Sequence, residues 1–205
     1  MTSVQIRTAT SADIEAIVLV HKDAFKGFFL TSLGDGFLRE LYRGFLDGEQ
    51  GLLVVASRGQ EILGFAAGTT EPDTFFKRLR RKRGAIFFIR AIPAILRRPL
   101  PVLHKIYGAL FYKGDQPQTL HQAALLSSIG VAPHFGGKSL GGQLLAGFEQ
   151  EVLSKGLKFV YLTTDQENND HVNSFYTKYG YKQESQFMQQ GSRPMLRYIK
   201  PLGNI

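Results

Sequence analysis

Residues 131–145 read VAPHFGGKSLGGQLL. They follow AALLSSIGV (123–131), a nearly continuous apolar run of the kind expected for a strand buried on both faces. They lead into a segment in which Leu140, Leu144, Phe148 and Val152 fall on one helical face. A strand, a glycine-rich loop and a helix in this order place backbone amides at a helix N-terminus, where phosphate binds. Gly137-Lys138-Ser139 matches the end of the nucleoside-triphosphate loop G-x-x-x-x-G-K-[ST]. The first glycine of that motif, however, falls on Ala132, and Pro133 beside it has no amide proton. Only about 65 residues remain after Ser139, too few for the several parallel strands such a domain builds downstream.

Outward from this loop, the pattern describes an α/β chain. VQIRTA (4–9) alternates as a first strand. In TSADIEAIVLVHKDAF (10–25), Thr10 and Asp13 form an N-cap pair, and Ile14, Ile17, Val18, His21 and Phe25 recur at helical spacing. DGFLRELYRGFL (35–46) reads as a second helix, closed by Asp47-Gly48. GLLVVAS (51–57) and EILGFAAG (61–68) form a strand pair about the turn Arg58-Gly59-Gln60. After the quoted helix, which Ser154 to Gly156 end, come the strand KFVYLTT (158–164) and the helix NDHVNSFYTKYG (169–180), with Gly180 as its stop. YKQESQFM (181–188) and MLRYI (195–199) form a terminal hairpin.

The residues Val131, Pro133, Gly137, Leu140, Gly141, Leu144 and Leu145 fit V-x-P-x-x-x-G-x-x-[IL]-G-x-x-L-L. Downstream, Asn169, Val172, Phe175, Tyr176, Gly180 and Tyr181 fit N-x-x-[AV]-x-x-[FL]-Y-x-x-x-G-[FY]. The two patterns in this order resemble the GCN5-related N-acetyltransferase (GNAT) superfamily. The resemblance is strong over 124–181, weaker over 4–68 and absent over about 74–114. It implies a mixed, mostly antiparallel central sheet flanked by helices, in a single domain spanning 1–205 with an insertion at about 72–118.

The same resemblance implies acetyl-coenzyme A as co-substrate and transfer of its acetyl group to a primary amine. It assigns Gly136, Gly137, Lys138, Ser139, Leu140 and Gly141 to the coenzyme pyrophosphate. Ile129 through Val131 supply backbone groups to the pantetheine arm, and Asn169 contacts the cofactor. The chain departs from the family at Gly136, where Arg or Gln is usual, and at Ser139, where Gly is usual. Tyr176 falls on the tyrosine that protonates the departing sulfur, and a phenol with a pKa of about 10 carries that proton at neutral pH. Many relatives carry a carboxylate where Leu125 stands. Ser127 shares its face by strand alternation but is no base, and His121 and Glu71 are the remaining candidates. The missing carboxylate favours an amine less basic than lysine, such as an amino sugar. Two alternatives stand beside this small-molecule reading: acetylation of protein or peptide α-amines, and a non-catalytic module that senses coenzyme A or contacts nucleic acid.

Composition narrows the field further. The chain has no cysteine, which removes disulfides, thiolate zinc sites and a cysteine nucleophile. Its five histidines are scattered without H-E-x-x-H, so no metal site is expected. No signal-peptide pattern opens the sequence, and a cytoplasmic location follows as the expectation, peripheral to the membrane if the insertion binds there. The net charge of +8 is local. Eleven Lys or Arg and no acid lie between Thr74 and Gly114, while the other 14 bases face 17 acids. Residues 76–111 mix these bases with Phe, Ile and Leu, too interrupted to span a bilayer. They predict amphipathic cationic helices divided by Pro93, Pro99 and Pro101. These helices would form a lid over the acceptor site, a contact with an anionic membrane surface, or both. Nucleic acid is disfavoured, because a stacking platform of exposed aromatics is missing.

Overall fold

The computed structural model describes residues 3–97, 122–136, 139–189 and 193–203. Its centre is a seven-stranded sheet in the order β1-β2-β3-β4-β5-β7-β6, with strands at Gln5–Thr8 (β1), Gly51–Arg58 (β2), Glu61–Thr69 (β3), Ala123–Val131 (β4), Phe159–Asp165 (β5), Lys182–Gln189 (β6) and Arg193–Pro201 (β7). All neighbours are antiparallel except β4 and β5. The expected mixed, mostly antiparallel sheet with flanking helices is therefore present.

Helices Ile14–Ala24 (α1), Phe29–Ser32 (α2), Asp35–Asp47 (α3) and Pro72–Arg97 (α4) precede β4; Leu140–Ser154 (α5) and Asp170–Lys178 (α6) follow it. Strand alternation sends Leu53, Val55, Phe65 and Ala67 to one face, where Ile17, Val18, Leu38, Tyr42, Phe45 and Phe75 cover them. Leu52, Ala66, Ala124 and Leu126 point to the other face, under Leu145, Phe148 and Val152 of α5. Glycine sets how closely α5 can lie. A Cβ at Gly68 would stand 2.5 Å from the Phe148 ring and 2.1 Å from the Leu125 carbonyl oxygen, so any larger residue would push both away. The start of α1 is fixed by Asp13, whose carboxylate accepts from the Thr10 amide at 2.7 Å and forms a two-pronged pair with Arg7.

The basic segment differs from its expected form in two ways. Pro93 does not divide it: α4 runs through Pro93 to Arg97. Its missing amide bond is tolerated in a helix whose far end is held by Ala91 and Ala94, buried against Leu33 with Phe29 and Phe37 alongside. Pro99 and Pro101 lie outside the described residues. Nor do the bases form one solvated face. Arg83 turns inward and donates to Glu40 and Asp47 of α3 at 2.6 Å each, tying α4 to the domain. Lys77, Arg78, Arg81 and Lys82 are exposed. At 100° per residue they share one side of α4 with Phe88, Ile89, Ile92 and Leu96, which are 60, 58, 39 and 77 % exposed.

Candidate active site

Strand β4 is where the sheet opens. On one side it pairs with β3 from Leu125 to Val131. On the other it pairs with β5 only at Ala123, Ala124 and Leu125, opposite Phe159, Val160 and Tyr161. From Leu126 onward no described strand meets β4 on that side, so the two parallel strands part. The backbone groups of Ser127 to Val131 thus line a cleft in the middle of the sheet, and such groups require partners. Ile129 and Val131 pack against Leu140 and Leu144 of α5, while their main chain lies along this opening.

A bulge governs which side chains face which way. The register with β3 passes from Ala67↔Ser128 to Gly68↔Leu126 and skips Ser127. The alternation expectation for Ser127 is thereby corrected. Leu125 is buried with Ala123 and Tyr161, Ser127 is the unpaired bulge residue and is exposed, and Ser128 takes the place on the α1–α3 side. Beyond it Gly130 is buried against Phe25 and Phe65, each 3.1 Å from where a Cβ would stand.

The loop after β4 makes one short turn, Pro133–Phe135, and enters α5. The Gly136 amide donates to the Pro133 carbonyl at 3.1 Å and so closes that turn. Gly137 and Lys138 lie outside the described residues. Ser139 precedes the helix with φ 56°, in the left-handed region that glycine adopts without a Cβ penalty. At the first turn of α5 the Leu140, Gly141 and Gly142 amides have no carbonyl one turn back within the helix and face the loop, as anion-binding donors must. Gly141 and Gly142 also let α6 approach, since Cβ atoms there would meet Phe175 at 3.2 Å and the Tyr179 hydroxyl at 2.1 Å. The left-handed serine gives a direct expectation. Ser139→Gly should raise the urea midpoint by up to about 1 kcal/mol of stability. A lower midpoint would show that the serine's own contacts outweigh the strain.

On the far side of the opening, α6 carries Tyr176, which is 7 % exposed. Its ring lies 5.2, 5.7 and 6.3 Å from those of Phe175, Tyr181 and Tyr198, within the apolar cluster that holds Leu126, with Ile129 packed against it. Burial raises the phenol above its ordinary value, so it stays protonated through the neutral range. Asn169 stands at the N-cap position of α6 without capping it; its amide donates to the Asp165 carbonyl at 3.3 Å. Asn173, which sequence reading passed over, donates to the same carbonyl at 3.2 Å and accepts from Thr164 at 2.6 Å. The two asparagines thus pin the end of β5 to α6.

The carboxylate candidate Glu71 is engaged locally. It is exposed at the start of α4 and accepts from the Thr74 hydroxyl at 2.8 Å. His121 lies outside the described residues. A buried polar pair lies on the α1–α3 face of the sheet: His21 Nδ1 is 2.5 Å from the Tyr42 hydroxyl. Burial among aromatic rings pushes His21 down to about 4, so it is neutral at physiological pH. Among the described residues no cluster of His, Asp and Glu suits a metal ion.

The strand, the loop and α6, which carry the two sequence motifs, thus stand around the opening where β4 and β5 part. The model of the Acetyltransferase (GNAT) family matches residues 106–181, which take in the strand, the loop and α6 through Tyr181. Over these 76 of its 205 residues the chain is similar to the GNAT acetyltransferases. Solved structures repeat its fold over nearly the whole length. An aminoglycoside 6′-N-acetyltransferase complexed with coenzyme A superposes with a TM-score of 0.64 at 14 % identity, covering 98 % of each chain. The ribosomal-protein-S18-alanine N-acetyltransferase of Escherichia coli gives 0.61 at 12 % identity, covering 99 % of this chain and 96 % of that one. Ard1 from Thermoplasma volcanium gives 0.61 at 13 % identity over 98 % and 99 %. No curated protein matches the chain. At these identities the likeness to the GNAT structures is one of fold, and the acceptor has to be argued from this chain's own residues.

Proposed function

We propose that the protein is an acetyl-coenzyme A-dependent N-acetyltransferase acting on the primary amine of a small molecule, with an amino sugar as the leading class. The observation that carries the reading is the parting of β4 from β5 after Leu125, beside the N-terminus of α5. This donor set fits the coenzyme. The edge of Ser127–Val131 offers amides and carbonyls to an amide-containing arm, and the first-turn amides of α5 suit a pyrophosphate. The bound coenzyme supplies a thioester as the acetyl donor. Gly137, Lys138 and Ser139 belong to the same loop, and Lys138 adds a cation near the phosphates. Tyr176 Oη holds the proton that the departing sulfur needs. Asn169 is assigned to the cofactor side through its place at the N-terminus of α6.

The lack of a carboxylate at Leu125 supports an acceptor whose amine loses its proton readily. The neighbours that act on ribosomal-protein alanine or aminoglycosides show that one fold serves both classes of amine, so α-amino groups of peptides are the competing acceptor. A thiol-release assay over a panel of amino sugars and of peptides with free α-amines separates them. Turnover of amino sugars is expected, and turnover confined to peptides would replace the reading. Binding of acetyl-coenzyme A without release of thiol from any amine would favour a sensor instead.

A second feature supports a setting at an anionic membrane surface. Along one side of α4, four exposed cations run into four exposed large apolar residues. No described helix is long and apolar enough to cross a membrane. A helix of this kind lies in the headgroup region, and each Lys or Arg contributes about 1 kcal/mol there. The protein should co-sediment with vesicles containing phosphatidylserine and be released by salt. Replacing Lys77, Arg78, Arg81 and Lys82 by Gln should abolish this, whereas Arg83, held by Glu40 and Asp47, is unsuited to the test. Equal partitioning onto neutral and anionic vesicles, or none onto either, would leave α4 as a lid alone.

A further inference from the structure

The acetyltransferase reading gives the acceptor one side of the sheet. The first turn of α5 and the Tyr176 phenol lie on the face of Leu52, Ala66 and Leu126, where the coenzyme enters, so the amine meets the thioester from the opposite face. On that face β5 and β7 continue the sheet beyond the opening. Ile199 of β7 packs there with Leu125, Tyr161 and Phe76, while Leu196 and Tyr198 point to the α5–α6 side. Alternation therefore puts Arg197 on the acceptor face. Its Cα partner on β5 is Thr163, two residues beyond the last β4–β5 pair at Tyr161. Arg197 thus stands level with the first parted residues and one strand, about 5 Å, behind the edge of the opening.

This cation is largely buried and incompletely satisfied. Its side chain is 12 % exposed, and burying a charge is costly unless its hydrogen bonds are made. Both of its hydrogen bonds leave from Nη1, at 3.3 Å each, to Glu184 Oε2 and Ser185 Oγ. A bulge in β6 brings these two residues opposite Arg197, because the register passes from Gln183↔Tyr198 to Ser185↔Arg197 and skips Glu184. Phe187 of the same strand offers its ring to the guanidinium, with Cζ 5.2 Å from the ring centre. Nε is buried without a partner among the described residues. In a planar guanidinium the Nε–Nη2 edge lies opposite Nη1. With Nη1 held by β6, that edge faces away from β6, on the side of β5 and the opening. Its two parallel N–H groups match two oxygens of a carboxylate or phosphate.

We infer that Arg197 binds an anionic group of the acceptor, a phosphate or a carboxylate, through its Nε–Nη2 edge while the amine reaches the opening; this rests on the acetyltransferase reading above. Glu184 and Ser185 are positioning residues that hold Nη1 and aim that edge. The acceptor class narrows from amino sugars to acidic ones. Amine and anion stand at least one strand spacing apart, as on opposite sides of a sugar ring.

With acetyl-coenzyme A saturating, the parent protein should show a KM for glucosamine 6-phosphate roughly tenfold or more below that for glucosamine. Glucosaminuronic acid, with a carboxylate at the same carbon, shows which of the two anions is preferred. Arg197→Gln should raise KM for the phosphate roughly ten- to hundredfold, as lost charge-assisted hydrogen bonds do, and leave that for glucosamine unchanged. The thermal shift produced by acetyl-coenzyme A should stay the same. Arg197→Lys keeps the charge without the fork and should restore KM only in part. Glu184→Gln should have a smaller effect, and a rise equal to that of Arg197→Gln would make the pair structural. Equal KM values for glucosamine and both acidic sugars in the parent, or equal losses on all of them in Arg197→Gln, would overturn the inference and leave the amino-sugar reading standing. Thiol release from no amino sugar would instead refute that reading. Calorimetry of glucosamine 6-phosphate with the coenzyme A complex would then decide the inference: binding that Arg197→Gln abolishes supports it, and no binding, or binding that survives the substitution, overturns it.

Discussion

Tyr176→Phe should lower kcat by roughly 10- to 1000-fold, the range for a lost general acid, with the affinity for acetyl-coenzyme A little changed. The hydroxyl is all that this substitution removes, and Tyr176 donates no hydrogen bond among the described residues that its loss would break. The ring contacts with Phe175, Tyr181 and Tyr198 remain, so the fold should persist. Because burial raises this phenol, the parent enzyme should lose no activity through Tyr176 ionisation until well above the ordinary tyrosine range. Steady-state kinetics across pH checks both statements. An unchanged kcat in Tyr176→Phe would return the residue to the core as packing alone.

Acidification from about pH 6.5 to about pH 4 should cost the fold about 3 kcal/mol through His21. The ring is held neutral by burial, down to about 4, whereas the unfolded chain titrates at the ordinary value of 6.5. Between these values the unfolded state binds the additional proton. Stability is therefore complete above 6.5 and declines as pH falls through the window. Asp13 acts below it. Its hydrogen bonds with Arg7 hold it at about 2, so its contribution is present above 3.8 and lost only in stronger acid. Urea titrations at several pH values measure the slope, and His21→Gln should flatten it whatever its effect on absolute stability. A slope unchanged by that substitution would show that the ring is not the group responsible.

The apolar periods of α1, α3 and α5 and the alternation of the strands were legible because burial dictates them residue by residue. The GNAT motifs were legible because a phosphate-binding turn needs glycine and a helix start at fixed spacing. Other features depend on contacts distant in sequence. A bulge leaves no mark in SSIGV, so the exchange of Ser127 for Ser128 could be seen only in the register with β3. Tyr42 and His21 stand at ordinary core positions of two helices, and only the fold brings their polar groups together. Arg83 looks like its neighbours in RLRRKR, yet helical rotation turns it toward Glu40 and Asp47 and leaves Lys77, Arg78, Arg81 and Lys82 outside. Pro93 reads as a breaker in isolation, but packing of Ala91 and Ala94 carries the helix through it.

The central claim is that the cleft where β4 parts from β5, beside the N-terminus of α5, holds acetyl-coenzyme A, and thermal unfolding with and without the coenzyme tests it most directly. A ligand that binds only the folded state stabilises it by about 2.7 kcal/mol at a hundred times its Kd. The parent protein should therefore melt several degrees higher in millimolar acetyl-coenzyme A. Gly137→Val, which places a branched side chain in the phosphate loop, should melt at the same temperature with and without it. A parent protein whose melting temperature is unmoved at millimolar coenzyme would contradict the account.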